Sequence, residues 1–483
     1  MSRRLDGGSQ EAEVPALPVP ERTLLNDCNH CAGLSRSRFL HRAAAEAGQG
    51  LPLIEPGMPL PAGTGLSRRS FVTHSVGAVL AVYGASRLGL SAFEEGIAAA
   101  ATGPAQPVLV SIFLEGGADA LSVLSPQGDP LYRKFRAKLG LTGGTALAED
   151  SRLFWHPAAG GLAQLYGEQK VSVMPAIGYT NADQSHFTSR HYWEVGATST
   201  NLRTGWLGRY LDGVGTMDNP LQGLSLDDTL APALATAKVP VASIDGPDQY
   251  DFWSNRVWGE VETRMLSAIG ALGAANGDPA FAAAAGVTAQ VDRLRNQLLP
   301  FQGTDSTPGF TSPVTYPKSS DAFPRRLAGL AALLAGGLPL RVVALTAPGH
   351  YDTHSNQAGD LSQGLQLTAD SLLAFQRDLE TRGLADRVLV HVWSEFGRRA
   401  QENGDAGTDH GAAGVGFLIG SRAKGQMIGE FPGLQNGLDT DGNVKATADY
   451  RGLYASLLEQ WLNVDAGSVI PGAASFPRSQ LVK

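Results

Sequence analysis

Continuous apolar runs, rather than alternating ones, set the pattern of this chain. Pro107–Leu114 (PVLVSIFL), Lys170–Ile177 (KVSVMPAI), Leu340–Ala347 (LRVVALTA), Arg387–Trp393 (RVLVHVW) and Val415–Ile419 each read as a strand buried on both faces, as in a parallel sheet. Helical patterns separate them. Leu162–Gly167 ends a short helix, and another begins near His186 with Asp183 or Ser185 as its N-cap. The Ala-rich stretch 256–300 is helical by pattern, and a Pro/Thr/Ser loop follows over 303–320. Ala322–Leu334 and the strongly amphipathic Leu361–Arg382 come next, and Tyr450–Leu462 reads as the closing helix. Alternation of this kind specifies an α/β fold, a mostly parallel central sheet with helices on both faces. There is no internal repeat and no second strand–helix series. Residues 104–483 are therefore expected to form one domain, with a helical insertion near 256–335.

Upstream, the pattern changes. Ser67-Arg68-Arg69-Ser70-Phe71-Val72 precedes an apolar run and has the form of a twin-arginine export signal, assigned here to 67–103. The run from Val76 to Leu90 is interrupted by Arg87 and is too short for a stable membrane span, which needs roughly 20 apolar residues. Ala98–Ala101 suits a signal-peptidase cut, so no stable span is expected in the mature form. The expected partner is the twin-arginine translocation machinery, and the expected location is extracellular, periplasmic or cell-envelope. That route carries folded proteins, often with a cofactor already loaded. Residues 1–66 are rich in Pro, Gly, Ala and Glu and read as a disordered leader. Translation from Met58 would shorten that leader; a real leader would carry an echo of the signal at Arg36–Arg42.

Composition narrows the class. Hydrophobic residues make up 43% and charged residues 17%, which is a globular balance. The net charge of −8, with no basic patch after the signal, argues against nucleic acid as a partner. The two cysteines, Cys28 and Cys31, lie upstream of the signal, so the expected domain holds no disulfide and no thiolate metal site.

The candidate chemistry sits in polar clusters read as following the apolar strands, and strand ends of a parallel sheet share one edge. The converging set is Asp119, Ser185, His186, Asp352, His354, Glu395, Asp409 and His410. Carboxylates mixed with imidazoles, without a thiol, form a ligand set for a divalent metal: Zn, Mn, Fe, Mg or Ca. Individual members have plainer readings. Asp119 also suits a helix cap, and Glu395 also suits an ion pair with Arg398 or Arg399. His391, inside a strand, reads as a packed, hydrogen-bonded core histidine, and His156 before Pro157 as a capping or loop residue.

Leu114-Glu115-Gly116-Gly117-Ala118-Asp119, Ser185-His186-Phe187, Asp352-Thr353-His354-Ser355-Asn356-Gln357, Ser394-Glu395-Phe396-Gly397-Arg398 and Gly407-Thr408-Asp409-His410-Gly411 occur in an order that resembles an exported bacterial family catalogued as domain of unknown function 1501. That family is similar to a remote branch of the alkaline phosphatase and sulfatase superfamily. The resemblance implies an alkaline phosphatase-like fold. It implies metal ligands at Asp119, Asp352, His354, Glu395, Asp409 and His410, a serine nucleophile at Ser185, and a catalytic contribution from His186. Arg398 or Arg190 would clamp substrate oxygens. Phe396 stands where the superfamily usually has a histidine ligand, which implies a single metal or lost catalysis. The expectation is an exported, single-metal hydrolase of phosphate or sulfate esters, acting on a small-molecule or polysaccharide ester. The alternative is a non-catalytic exported binding or envelope protein that retains the fold and uses aromatic surface near Trp193, Trp206 and Trp253.

Overall fold

The computed structural model describes residues 80–83, 106–248, 279–303 and 308–483, with scattered helical positions between 261 and 271. The leader with its two cysteines, Arg68 and Arg69, the Ala98–Ala101 stretch and Trp253 lie outside the described residues.

The strands are β1 (Leu80–Tyr83), β2 (Val108–Phe113), β3 (Leu124–Ser125), β4 (Phe154–Trp155), β5 (Val171–Gly178), β6 (Gly223–Ser225), β7 (Val241–Ile244), β8 (Val342–Thr346), β9 (Val388–Trp393), β10 (Arg398–Glu402), β11 (Thr408–His410), β12 (Gly414–Ile419) and β13 (Ala448–Asp449). Among the described residues, nine of them build one sheet in the order β1-β7-β6-β8-β2-β9-β12-β5-β13. Strands β7, β6, β8, β2 and β9 run parallel, as do β5 and β13. β12 is antiparallel to both its neighbours, β9 and β5. At the other edge β1, inside the span read as the export signal, pairs antiparallel with β7.

The five apolar runs are thus the central strands, as their continuous hydrophobicity requires. β2 is buried at every position, and its side chains divide between two cores. Val108, Val110 and Ile112 join one, Leu109 and Phe113 the other. Helices α1 (Gly160–Gly167), α2 (His186–Val195), α3 (Trp206–Val214), α4 (Pro279–Leu298), α5 (Phe323–Ala335), α6 (Gln357–Thr381) and α7 (Tyr450–Gln460) supply both faces. Leu327 and Leu330 of α5 and Leu365 and Phe375 of α6 pack on the first. Trp193 of α2, Trp206 of α3 and Tyr454 of α7 pack on the second. α5 lies within the span expected to be an insertion, yet it forms part of the layer that covers the sheet. Among the described residues, no helix is long and apolar enough to cross a membrane.

The reversal of β12 places the site. A chain leaving β9 at the carboxyl edge makes the β10–β11 hairpin and re-enters the sheet from that same edge. Asp409 and His410 therefore reach the carboxyl edge by preceding their strand, not by following it.

Candidate metal centre

Beyond β2 the chain turns through Gly116 and Gly117, whose φ angles are +115° and +74°. A Cβ on Gly117 would lie 2.3 Å from Phe396 Cε2, and one on Gly116 would lie 2.4 Å from Asp352 N, so both positions require glycine. The turn aims its amides at the end of β9. Gly116 N donates to Glu395 Oε1 at 3.0 Å, Gly117 N to Oε2 at 3.0 Å, and Ala118 N to Ser394 Oγ at 2.9 Å. The buried Glu395 carboxylate receives a further hydrogen bond, from His186 Nδ1 at 2.7 Å.

His186 opens α2, with Ser185 as its N-cap. Its Nε2 stands 3.1 Å from His410 Nε2 and 3.3 Å from Asp352 Oδ1. His354 Nε2 approaches the same two atoms, at 2.9 Å from His410 Nε2 and 3.1 Å from Asp352 Oδ1. His410 Nε2 lies 3.4 Å from Asp352 Oδ1, and its Nδ1 donates to Gln184 O at 2.8 Å. Three imidazole Nε2 atoms thus gather about one carboxylate oxygen. Each Nδ1 faces an oxygen, which for a neutral ring leaves the Nε2 lone pair directed into the cluster. Metal-binding histidines are oriented in this way. The ligand atoms of His186, Asp352 and His410 lie within 4.8 Å of one another and could hold an ion.

The electrostatics agree with a site that attracts positive charge. Burial pulls His186 down, but Asp352 and Glu395 outweigh it and lift it to about 9. Burial would raise Asp352, but His186, His410 and Arg398 hold it far below the usual carboxylate range. Phe396 walls the cluster, with its ring centroid 4.8 Å from that of His186 and 4.9 Å from that of His410.

The structure brings Ser185, His186, Asp352, His354, Glu395, Arg398, Asp409 and His410 to this edge in different capacities. Glu395 meets His186 at its outer nitrogen, and Asp409 Oδ1 lies 3.5 Å from His354 Nδ1. Both carboxylates touch the imidazoles from behind. Arg398 is fully buried, donating to Gly117 O at 2.8 Å, Thr408 O at 2.9 Å and Asp352 Oδ1 at 2.6 Å. With its fork so committed, it positions Asp352 and is not free to clamp a substrate. Arg190, the other candidate clamp, is half-buried and paired with Glu115 and Glu194. Ser185 Oγ is shielded from solvent and has no hydrogen-bond partner among the described residues.

Asp119 does not join the imidazoles. It is fully buried, accepts from Leu121 N as a helix cap, and receives Arg136 Nη1 at 2.5 Å and Nη2 at 2.9 Å. Ser122 Oγ and Gln357 Nε2 take its remaining capacity. Gln357 Oε1 in turn accepts from Thr353 Oγ1 and Thr408 Oγ1, tying Asp119 to the segments that carry His354 and His410. Sequence reasoning missed Arg136, Gln357 and the Gln184 carbonyl. Gln357 sits inside the Asp352–Gln357 motif and could have been found there; Arg136 and a backbone oxygen carry no comparable signal. Trp193 and Trp206 are fully buried, so they supply no binding surface. His156 caps a 3-10 turn through Nδ1. His391 is packed in β9 as expected, but its buried Nδ1 has no hydrogen-bond partner among the described residues.

The mostly parallel sheet, covered by helices on both faces and carrying an imidazole–carboxylate cluster at its carboxyl edge, defines an α/β protein. The family model described as "Protein of unknown function (DUF1501)" matches residues 172–472, and the chain belongs to that family. No curated protein matches the chain significantly. Among solved structures, the chain is similar to the soluble domain of lipooligosaccharide phosphoethanolamine transferase A from Neisseria meningitidis, at 11% identity and a TM-score of 0.35 over 78% of this chain and 95% of that one. The lipoteichoic acid synthase LtaP from Listeria monocytogenes matches at 8% identity and a TM-score of 0.33, over 76% of this chain and 73% of its own. An alkaline phosphatase superfamily protein from Vibrio parahaemolyticus matches at 9% identity and a TM-score of 0.33, over 92% of this chain and 80% of its own.

Proposed function

We propose that the chain is an exported, metal-dependent hydrolase of phosphate or sulfate esters. The observation that carries this reading is the gathering of three imidazole Nε2 atoms about Asp352 Oδ1 at the carboxyl edge of the sheet. His186, Asp352 and His410 would hold the ion, with His354 on its exposed side. An imidazole-rich donor set favours zinc or iron over magnesium or calcium. When bound, such a cation supplies Lewis-acid polarisation of an ester oxygen. Ser185 supplies the nucleophile, since its Oγ is uncommitted among the described residues and the residue immediately precedes His186. It sits at the positive end of α2, where an anionic group is favoured. Glu395 and Asp409 orient the imidazoles, Arg398 fixes Asp352, and Phe396 excludes water from behind. One observation favours a non-catalytic metal-binding role instead: Arg190 and Arg398 are both committed to ion pairs.

Elemental analysis of protein purified without added metal, beside the Asp352→Ala/His410→Ala variant, tests the site. Near-stoichiometric metal that the variant loses is the expected result. Turnover of p-nitrophenyl phosphate, bis-(p-nitrophenyl) phosphate and p-nitrophenyl sulfate then tests the reaction. Hydrolysis that stops with Ser185→Ala supports catalysis, and metal without turnover supports the non-catalytic role. Protein that stays metal-free after reconstitution removes the whole proposal. Export rests on Ser67–Val72, and retention of an Arg68→Lys/Arg69→Lys variant in the cytoplasm is the outcome it requires.

A further inference from the structure

The imidazoles of the cluster are not held alike. His186 is anchored at Nδ1 by Glu395, whose side chain is 1% exposed, and His410 by a main-chain carbonyl at 2.8 Å. Among the described residues, His354 Nδ1 meets Asp409 alone, at 3.5 Å, and that carboxylate is 54% exposed. Exposure follows the same order: 17% for the His186 side chain, 26% for His410 and 47% for His354. His186 stands on a helix and His410 on a strand, whereas His354 stands on the loop between β8 and α6. Its backbone is nevertheless fixed. Asn403 Nδ2 donates to His354 O at 2.9 Å, and a Cβ on Gly407 would lie 2.2 Å from that same oxygen. Movement of His354 is therefore confined to rotation of its side chain.

Metal sites with three protein ligands keep a position open for substrate, whereas four protein ligands close the site. His354 Nε2 reaches two of the three inner donor atoms, so it can close this one. On the metal-binding reading above, we infer that His354 is a displaceable fourth ligand: it completes the coordination at rest and rotates outward to admit the ester. With an ion bound, His354 Nε2 would give up its one donor position to an oxygen of the incoming ester. No proton or electron changes hands. In this role His354 governs access, while His186, Asp352 and His410 hold the ion.

Cobalt(II) reconstitution of the full chain tests this, because the visible spectrum of cobalt reports coordination number without any turnover. His354→Ala and His354→Gln should each keep one cobalt and weaken its binding by no more than about 100-fold, the scale of losing a supporting contact. His186→Ala and His410→Ala should weaken it well beyond that. The spectrum of His354→Ala should differ from wild type, and added imidazole should restore the wild-type form. Circular dichroism checks that each variant is folded. If His354→Ala loses cobalt as completely as His410→Ala, His354 is an integral ligand and the inference fails while the metal reading stands. If its spectrum equals that of wild type, His354 is not a ligand, and the inference fails again. Wild-type protein that takes up no cobalt overturns the metal reading and the inference together.

Discussion

Replacing Asp119 with alanine should unfold this protein far more readily without emptying the proposed metal centre. The Asp119–Arg136 pair is sealed from water, with side chains 0% and 1% exposed. Removing the carboxylate leaves a buried guanidinium whose remaining partners are the carbonyls of Arg399 and Ala400. Breaking a buried ion pair from one side costs about 3–5 kcal/mol. Loss of the cap on the turn at Ala120–Val123 adds about 1 kcal/mol. A total of about 4–6 kcal/mol is a large share of the roughly 5–15 kcal/mol that holds a typical domain together. Urea unfolding followed by circular dichroism, with metal content measured on the same samples, is the assay. Asp119→Ala should lower the midpoint sharply, and Asp119→Leu/Arg136→Met should recover much of the loss by removing both charges. Acidity gives a second check. Burial alone would raise the Asp119 pKa, but Arg136, Ser122 and Gln357 outweigh it and hold it below its ordinary value. Its contribution is therefore complete above the unfolded carboxyl value of about 3.9 and fades as the pH falls below that, through the folded pKa. An Asp119→Ala protein with unchanged urea midpoint but no bound metal would contradict this structural role and return Asp119 to the ligand set.

Three further substitutions probe the supports. Arg398→Lys removes the fork that fixes Asp352 and should weaken metal binding by about 10–100-fold; a change in substrate affinity with metal binding intact would identify a clamp instead. Gly117→Ala places a Cβ against Phe396 at a left-handed φ, so a loss of about 1–3 kcal/mol is expected by urea titration, and unaltered stability would mean the turn relaxes freely. Burial holds His391 at about 3, so the unfolded chain takes up a proton near pH 6.5 that the folded chain refuses. Stability should therefore fall on acidification below pH 6.5, by about 2 kcal/mol at pH 5 from this residue. His391→Leu should flatten that part of the profile, and an unchanged slope would contradict the assignment.

Much of this architecture is legible in the sequence. β2, β5, β8, β9 and β12 fall within a residue or two of their apolar runs, because strands buried on both faces must be apolar throughout. β6 and β7 escape because three or four residues carry too little pattern. Strand direction escapes altogether: an apolar run looks the same in either sense, so the reversal of β12 could not be read. His186, Asp352, His354 and His410 stand out because polar clusters beside buried strands are conspicuous. Asp119 looked equivalent to them until Arg136 was placed against it, and nothing in the Arg133–Arg136 stretch announces that one of its cations will be buried. The division between residues that face the centre and those that hold them also depends on which nitrogen of each ring points where, a property of the fold alone.

The side chains of the proposed metal site come from distant parts of the chain. His186 and His410 are 224 residues apart in sequence, yet their ring nitrogens stand 3.1 Å apart. No fragment that stops short of β11 carries all the donors, and the segment with His410 is held where β12 returns between β5 and β9. Binding of the proposed ion would thereby be coupled to completion of the fold. Affinity alone ranks metals in much the same order at most nitrogen and oxygen sites, so the ion acquired depends on which one is at hand. On the metal-binding reading proposed above, the compartment in which this chain finishes folding would select its metal.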